Sequence, residues 1–195
     1  MANTLELAID TASKITVDLA FTGTDGETFT LAEGKKAGTR PELPDEEAFN
    51  SSSDFSRLRL LNEEIDATLA TYLTEMRVNI NNGVNPNKAI ATLGAIGMSV
   101  GDFAVSGNVK AYFDTVEAIR SIRRDDDVSL DFALVKTNAG WVFDIPLLST
   151  GDGRLEVAKD QSVQIPVTLD AAEHPDLHHT LLVQSFTYLP NAASA

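Results

Sequence analysis

Apolar and polar residues alternate along much of this chain with a period of two. Leu5, Leu7 and Ile9 alternate with Glu6, Ala8 and Asp10; after a short break, Ile15, Val17, Leu19 and Phe21 alternate with Thr16, Asp18 and Ala20. That period belongs to strands with one apolar face, and the spacing predicts a hairpin. Residues 55–61 resume an extended pattern. Met76, Val78 and Ile80 alternate with Arg77, Asn79 and Asn81, which predicts a strand over residues 72–82. Asn82-Gly83 and Asn85-Pro86 are turn signals. Residues 88–93 are expected to form a turn or two of helix, and Gly94, Gly97 and Gly101 to punctuate a loop after it.

The chain is organised around residues 101–148, read as a strand pair, one short helix and a second strand pair. Phe103, Val105, Val109, Ala111 and Phe113 keep the strand period. Asp114 then stands three residues ahead of Glu117, the spacing of a capping box. Val116, Ile119 and Ile122 share one helical face. Arg120, Arg123 and Arg124 lie toward the C-terminal end, where cations complement the helix dipole. Asp125, Asp126 and Asp127 stop the helix. Val128, Leu130, Phe132 and Leu134 restore the period of two, a turn falls at 138–140, and Trp141, Phe143 and Ile145 return. The unit reads β-β-α-β-β, its helix covering a sheet edge or face.

Beyond it, Gly151-Asp152-Gly153 reads as a turn and residues 163–169 as a long strand. Pro166 places that strand at an edge or a bulge, because proline cannot donate to a ladder. A polar turn through His174, Pro175 and Asp176 leads to a last strand at 180–189. The Ala/Ser tail after Pro190 is expected to be disordered or packed on a partner. Eight to ten strands with one helix predict a mainly β fold, an antiparallel sandwich or barrel with one flanking α-helix. One domain is expected over residues 1–190, followed by a short tail at 191–195.

Residues 23–54 break this regularity. They are rich in Gly, Glu, Asp, Ser and Pro and nearly free of large apolar side chains. A polar stretch of this length is either a surface loop or a segment that orders against a neighbouring subunit.

Charge narrows the function classes. The 195 residues carry 15 basic and 29 acidic side chains, a formal net charge of −14. That field disfavours non-specific phosphate binding, but it does not exclude a nucleic acid that must pass without sticking. Without cysteine there is neither a disulfide nor a thiolate metal site. No apolar run approaches the length of a membrane span, and the first residues lack the basic-then-apolar order of a signal peptide. A soluble chain made in the cytoplasm is expected.

Candidate chemistry is sparse. His174, Asp176, His178 and His179 have the donor types of a zinc site. They sit in one turn without a fourth partner at recognisable spacing, so a solvated turn carries more weight. Asp125 to Asp127 and the acidic residues of 152–160 lack the alternating oxygens of an EF-hand loop and read as turn and helix-stop residues. There is no G-x-S-x-G elbow, P-loop or G-x-G-x-x-G. Carboxylates are too many for a glycosidase pair to stand out. The aromatic content of 7% is spaced as core rather than as a stacking platform. No catalytic, cofactor or metal residue is assigned.

Three stretches, taken together, resemble a known family: FNSSSDFSRLRLL at 49–61, VNINNGVNPNKAIATLGAIGMSVGDFAVSGNVKAYF at 78–113, and FDIPLLSTGDGRLEVAKDQSVQIPVTLDA at 143–171. Their order resembles that of the tail tube, or major tail, proteins of long-tailed bacteriophages (siphophages). The resemblance covers most of the chain. It implies a sandwich or barrel with a flanking helix, similar to tube subunits of contractile tails and type VI secretion. It further implies rings, typically of six, stacked into a hollow virion tube that conducts double-stranded DNA without binding it specifically. Assembly would occur in the host cytoplasm with tape-measure and tail-tip or terminator partners, and with no cofactor, membrane or enzymatic activity. On this reading Asp131 and Asp144 are lumen-facing candidates. The 23–54 segment becomes an inter-ring arm with Glu33, Lys35, Lys36, Arg40, Glu42, Asp45, Glu46 and Glu47 as contact candidates. Two other classes make different demands. A small-molecule or glycan-binding sandwich requires an enclosed pocket with convergent polar groups, and a metal-dependent enzyme requires His174, His178 and His179 around a zinc ion.

Overall fold

In a computed structural model, residues 1–24, 42, 47–62, 67–70, 72–112, 116–136, 139–152 and 162–186 are described, without the side chains of 67, 69, 70 and 116–119. They form twelve strands and one helix: β1 (Ala2–Asp10), β2 (Thr16–Phe21), β3 (Phe55–Asn62), β4 (Ala67–Ala70), β5 (Tyr72–Asn81), β6 (Val84–Lys88), β7 (Ala95–Val100), β8 (Ala104–Tyr112), α1 (Val116–Arg124), β9 (Val128–Lys136), β10 (Ala139–Asp152), β11 (Gln164–Ala171) and β12 (Leu182–Phe186). Ten strands make one antiparallel sheet in the order β2-β1-β5-β8-β11-β10-β9-β3-β4, with β12 added on β10; β6 and β7 form a separate ribbon. The mainly β expectation with a single short helix therefore holds, in the form of a curled sheet.

The curl is made at β10. Its first part, Gly140 to Asp144, pairs with β12, while its last part, Leu148 to Asp152, pairs with β11. Between the two, the register with β9 shifts from Ile145 to Leu148. Pro146 sits in that irregularity, where a residue without an N–H does not interrupt the ladder. Pro166 obeys the same rule. Among the described residues, β11 has only β8 beside it at Pro166, because pairing with β10 ends at Val167 opposite Asp152.

Folding the sheet on itself brings two sets of alternate residues together. Leu7, Ile9, Met76, Val78, Val109 and Val167 from one half meet Leu60, Leu130, Phe132 and Ile145 from the other. Each large side chain buried this way contributes about 1.5–3 kcal/mol. Phe132 is fully buried and stacks on Phe143 with ring centroids 4.6 Å apart.

The helix is fastened at its end. Asn62, fully buried, donates through Nδ2 to Ser121 Oγ at 2.7 Å and to Asp126 Oδ2 at 2.9 Å. Asp125 adopts a left-handed φ of 57°, and the N–H groups of Asp125 and Asp126 reach the carbonyls of Ile122 and Ser121. This pair of bonds is a Schellman stop, here with Asp in the position glycine usually takes. The acidic run stops the helix as its composition predicts. The capping-box residue Asp114 lies outside the described residues.

Four local expectations are corrected. The stretch before the helix is one strand, β8, so the central unit is β-α-β-β. Ser106-Gly107-Asn108 continues the ladder, and a Cβ on Gly107 would lie 2.4 Å from the Arg77 carbonyl oxygen. The glycine answers a close backbone approach rather than a turn. Residues 88–93 are not helical, and residues 95–100 are not a loop: β6 and β7 pair from Val84 opposite Val100 to Lys88 opposite Ala95. Gly151 and Asp152 belong to β10 instead of a turn. The last strand is described only over Leu182–Phe186, and the tail lies outside the described residues.

Candidate functional site

Side chains from the outer face of the β2-β1-β5-β8-β11 half point away from the core. In-register neighbours share a face, so Asp18, Glu6, Asn79, Ser106 and Asp170 form one row across five strands. Glu6 stands directly opposite Asp18. The adjacent rows add Asp10 and Glu75 with Arg77 and Lys110. Arg77 pairs with Asp10 at 2.9 Å and approaches Glu75 at 3.5 Å. Glu6, Asp18 and Asp170 have no ion-pair partner among the described residues. The wall is polar and negative.

Asp131 and Asp144 lie on the outer face of the other half, facing each other across β9 and β10. Asp131 is held by two cations. Arg57 Nε donates to its Oδ1, and Arg59 Nε to its Oδ2 at 2.9 Å. The Asp131 side chain is 8% exposed, whereas Arg57 and Arg59 are 53% and 44% exposed. This face therefore presents guanidinium groups over a covered carboxylate. Asp144 is half-buried, with His179 Nε2 3.8 Å from its Oδ2.

The histidine turn is built on backbone contacts. His174 Nδ1 accepts from the N–H groups of Asp176 and Leu177, both at 3.2 Å, which occupies its lone pair. His178 points to solvent and His179 contacts the Leu177 carbonyl through Nδ1. Among the described residues no group of three His, Asp or Glu side chains has the arrangement of a metal site.

Of the arm candidates, Glu42 is exposed and Glu47 is anchored. Lys136 Nζ lies 3.0 Å from Glu47 Oε2 and donates to the Ala48 carbonyl at 3.3 Å. The ammonium lowers the Glu47 pKa, first through its hydrogen bond. Asp54 accepts from the Asn50 N–H at 2.7 Å and from Ser53 Oγ at 2.8 Å, and those bonds lower its pKa too. Glu33, Lys35, Lys36, Arg40, Asp45 and Glu46 lie outside the described residues.

Two apolar features are exposed among the described residues. A groove of about 420 Å³ opens between the β1–β2 edge and β9, β10 and β12, lined by Leu5, Val17, Phe49, Trp141, Phe143 and Val183 among others. The polar groups that would orient a small ligand or glycan do not converge there. The β6–β7 hairpin carries Ile90 and Leu93, both fully exposed, with Ile96 and Val100 largely so. Neither feature was found from sequence. The only signal was the absence of any carboxylate between Glu75 and Asp102.

The chain matches the family model for phage tail tube proteins over residues 1–171. A comparison with curated proteins found no significant match.

Proposed function

The chain belongs to the phage tail tube protein family, and from that premise we propose that its copies close into rings of six. Members are structural proteins that stack as homo-oligomers in the tail, so its place is the virion. The stacked rings conduct double-stranded DNA into the host, assemble in the host cytoplasm, and engage tape-measure and tail-tip or terminator proteins. Residues 1–190 act as one tube domain. The polar 23–54 segment is the inter-ring arm, fastened near its end by the Glu47–Lys136 pair.

The observation that carries the conduit reading is the row containing Asp18, Glu6 and Asp170. Like charges directly opposite on a sheet are destabilising, and here the repulsion is kept on an open polar wall. Such a wall repels phosphates, so DNA slides past it. In this reading the lumen is lined by that face. The face with Asp131 and Asp144 serves less well, because Arg57 and Arg59 cover Asp131 and would attract phosphate. Open edges supply the lateral contacts: β2 is an edge strand exposed along its whole length, and exposed edges gain backbone partners from another chain.

Electron microscopy and light scattering of concentrated protein, with and without the tail-tip initiator, test this. Stacked six-fold rings with an axial channel wide enough for duplex DNA are expected. Monomer that persists with the initiator present overturns it.

A further inference from the structure

The β6–β7 hairpin has a fixed root and an uncovered tip. At the root, Gly83 takes a left-handed φ of 59°, its carbonyl accepts from the Gly101 N–H at 2.9 Å, and the Val84 N–H reaches Asn3 Oδ1 at 2.9 Å. At the other end of the ribbon, the Ala95 N–H, opposite Lys88, donates to the Thr24 carbonyl at 2.7 Å. Val84 is buried, yet farther out Ile90 and Leu93 are fully exposed. A two-stranded ribbon is marginal by itself, and an apolar tip on it is a cost unless something covers it.

The same chain carries a matching cavity. The groove between β2 and β12 is apolar, open to solvent and about 420 Å³ in volume, with room for a pair of branched side chains. Its walls include Val17, Trp141 and Val183, all substantially exposed. The hairpin cannot fill it within one copy, since Ile90 and Leu93 are fully exposed. Charge selects the occupant. Copies with a formal charge of −14 repel one another. The hairpin lies in the segment 76–101, which has no carboxylate, and it carries Lys88. Beside the groove, Glu47 adjoins the lining residue Ala48 and is paired with Lys136, whereas Asp18, next to Val17, is on the opposite sheet face. Against the net charge of the chain, the hairpin is therefore the part of a second copy that meets least repulsion.

We propose that the tip of the β6–β7 hairpin of one copy, through Ile90 and Leu93, docks in the β2–β12 groove of a second copy. Knob and groove are different patches, so the contact is head-to-tail and either closes a ring or continues as a filament. The proposal rests on the tube reading for its place in the virion, but the contact itself is tested separately.

The chain has no cysteine, so an introduced pair reports alone. Leu93→Cys with Val183→Cys in one chain, mildly oxidised at high concentration, is expected to yield a disulfide ladder beyond dimer. Each single variant stops at dimer. A double variant that also stops at dimer or stays monomeric overturns the docking, as does a disulfide formed within one chain. As a second arm, Leu93→Asp is expected to melt with the wild type and to raise the concentration for assembly at least tenfold. Tubes formed by L93D at the wild-type concentration overturn the docking and leave the tube reading standing. A covalent ladder without tubes, even with the initiator, supports the docking and overturns the tube reading.

Discussion

Glu6 on β1 and Asp18 on β2 stand directly opposite one another in the first hairpin, both on the sheet face away from the core. Their repulsion has a measurable consequence. Replacing either by its amide, Glu6→Gln or Asp18→Asn, is expected to stabilise the isolated chain by about 0.2–1 kcal/mol. Added salt should narrow the difference, because the charges are near solvent. Thermal unfolding at low and high salt checks both statements. A lower melting temperature for both amide variants would show that the pair is not repulsive.

The same row predicts how the wall treats phosphate. Glu6→Lys, Asp18→Lys and Asp170→Lys together replace three negative charges with positive ones on one face. Each cation that meets a phosphate releases counterions and adds to a salt-dependent affinity. The triple variant is expected to retain duplex DNA at low salt and release it as salt rises, while the wild type retains none. Filter binding across a salt series measures this. Equal retention by the two proteins would remove the wall from the path of DNA.

Legibility from sequence followed burial. Strands β1, β5 and β9 each have one face in the core, so alternation marked them. The β6–β7 ribbon has almost no buried face, and its residues leave no period to read. Ser106-Gly107-Asn108 has the composition of a turn, yet its glycine reflects the Arg77 carbonyl of a strand far away in sequence. The surfaces were less visible still. Alternation puts Asp131 on an outer face, but only the tertiary fold brings Arg57 and Arg59 onto it. Val17, Leu19 and Phe21 have a core-like pattern and are 51%, 54% and 71% exposed, because β2 is an edge that overhangs the groove.

Acid should weaken the fold through three carboxylates. Glu47, Asp54 and Asp126 have pKa values lowered by Lys136, by the Asn50 N–H and by Arg124 respectively. A folded-state pKa below the unfolded value means that the unfolded chain binds more protons in that interval. The stabilisation is complete above the ordinary values of 4.5 and 3.8 and is lost as pH falls through the lowered ones. Urea midpoints should hold steady near neutral pH and drop below about pH 4. Asp54→Asn should lower the midpoint at pH 7 and flatten its acid dependence. A variant with the wild-type acid slope would assign that slope to other groups.

Gly107 tests whether β8 is one strand. A Cβ there would lie 2.4 Å from the Arg77 carbonyl oxygen and 3.6 Å from the Val78 Cα, both backbone atoms of the paired strand β5. Backbone in the middle of a sheet cannot retreat like a flexible side chain, since β5 is also paired with β1 and β8 with β11. Gly107→Ala therefore separates the strands locally, and overpacking of this kind costs about 1–3 kcal/mol. In a surface turn the same change would be nearly neutral or, at a compatible φ, would stabilise by about 0.4–1 kcal/mol through the unfolded chain. The two arrangements thus give opposite signs in a urea titration of G107A. A Ser106→Ala variant controls for the neighbourhood, because its side chain is on the outer face and its loss should change little. Destabilisation confined to G107A is the expected result, and a neutral or stabilised G107A would restore the turn.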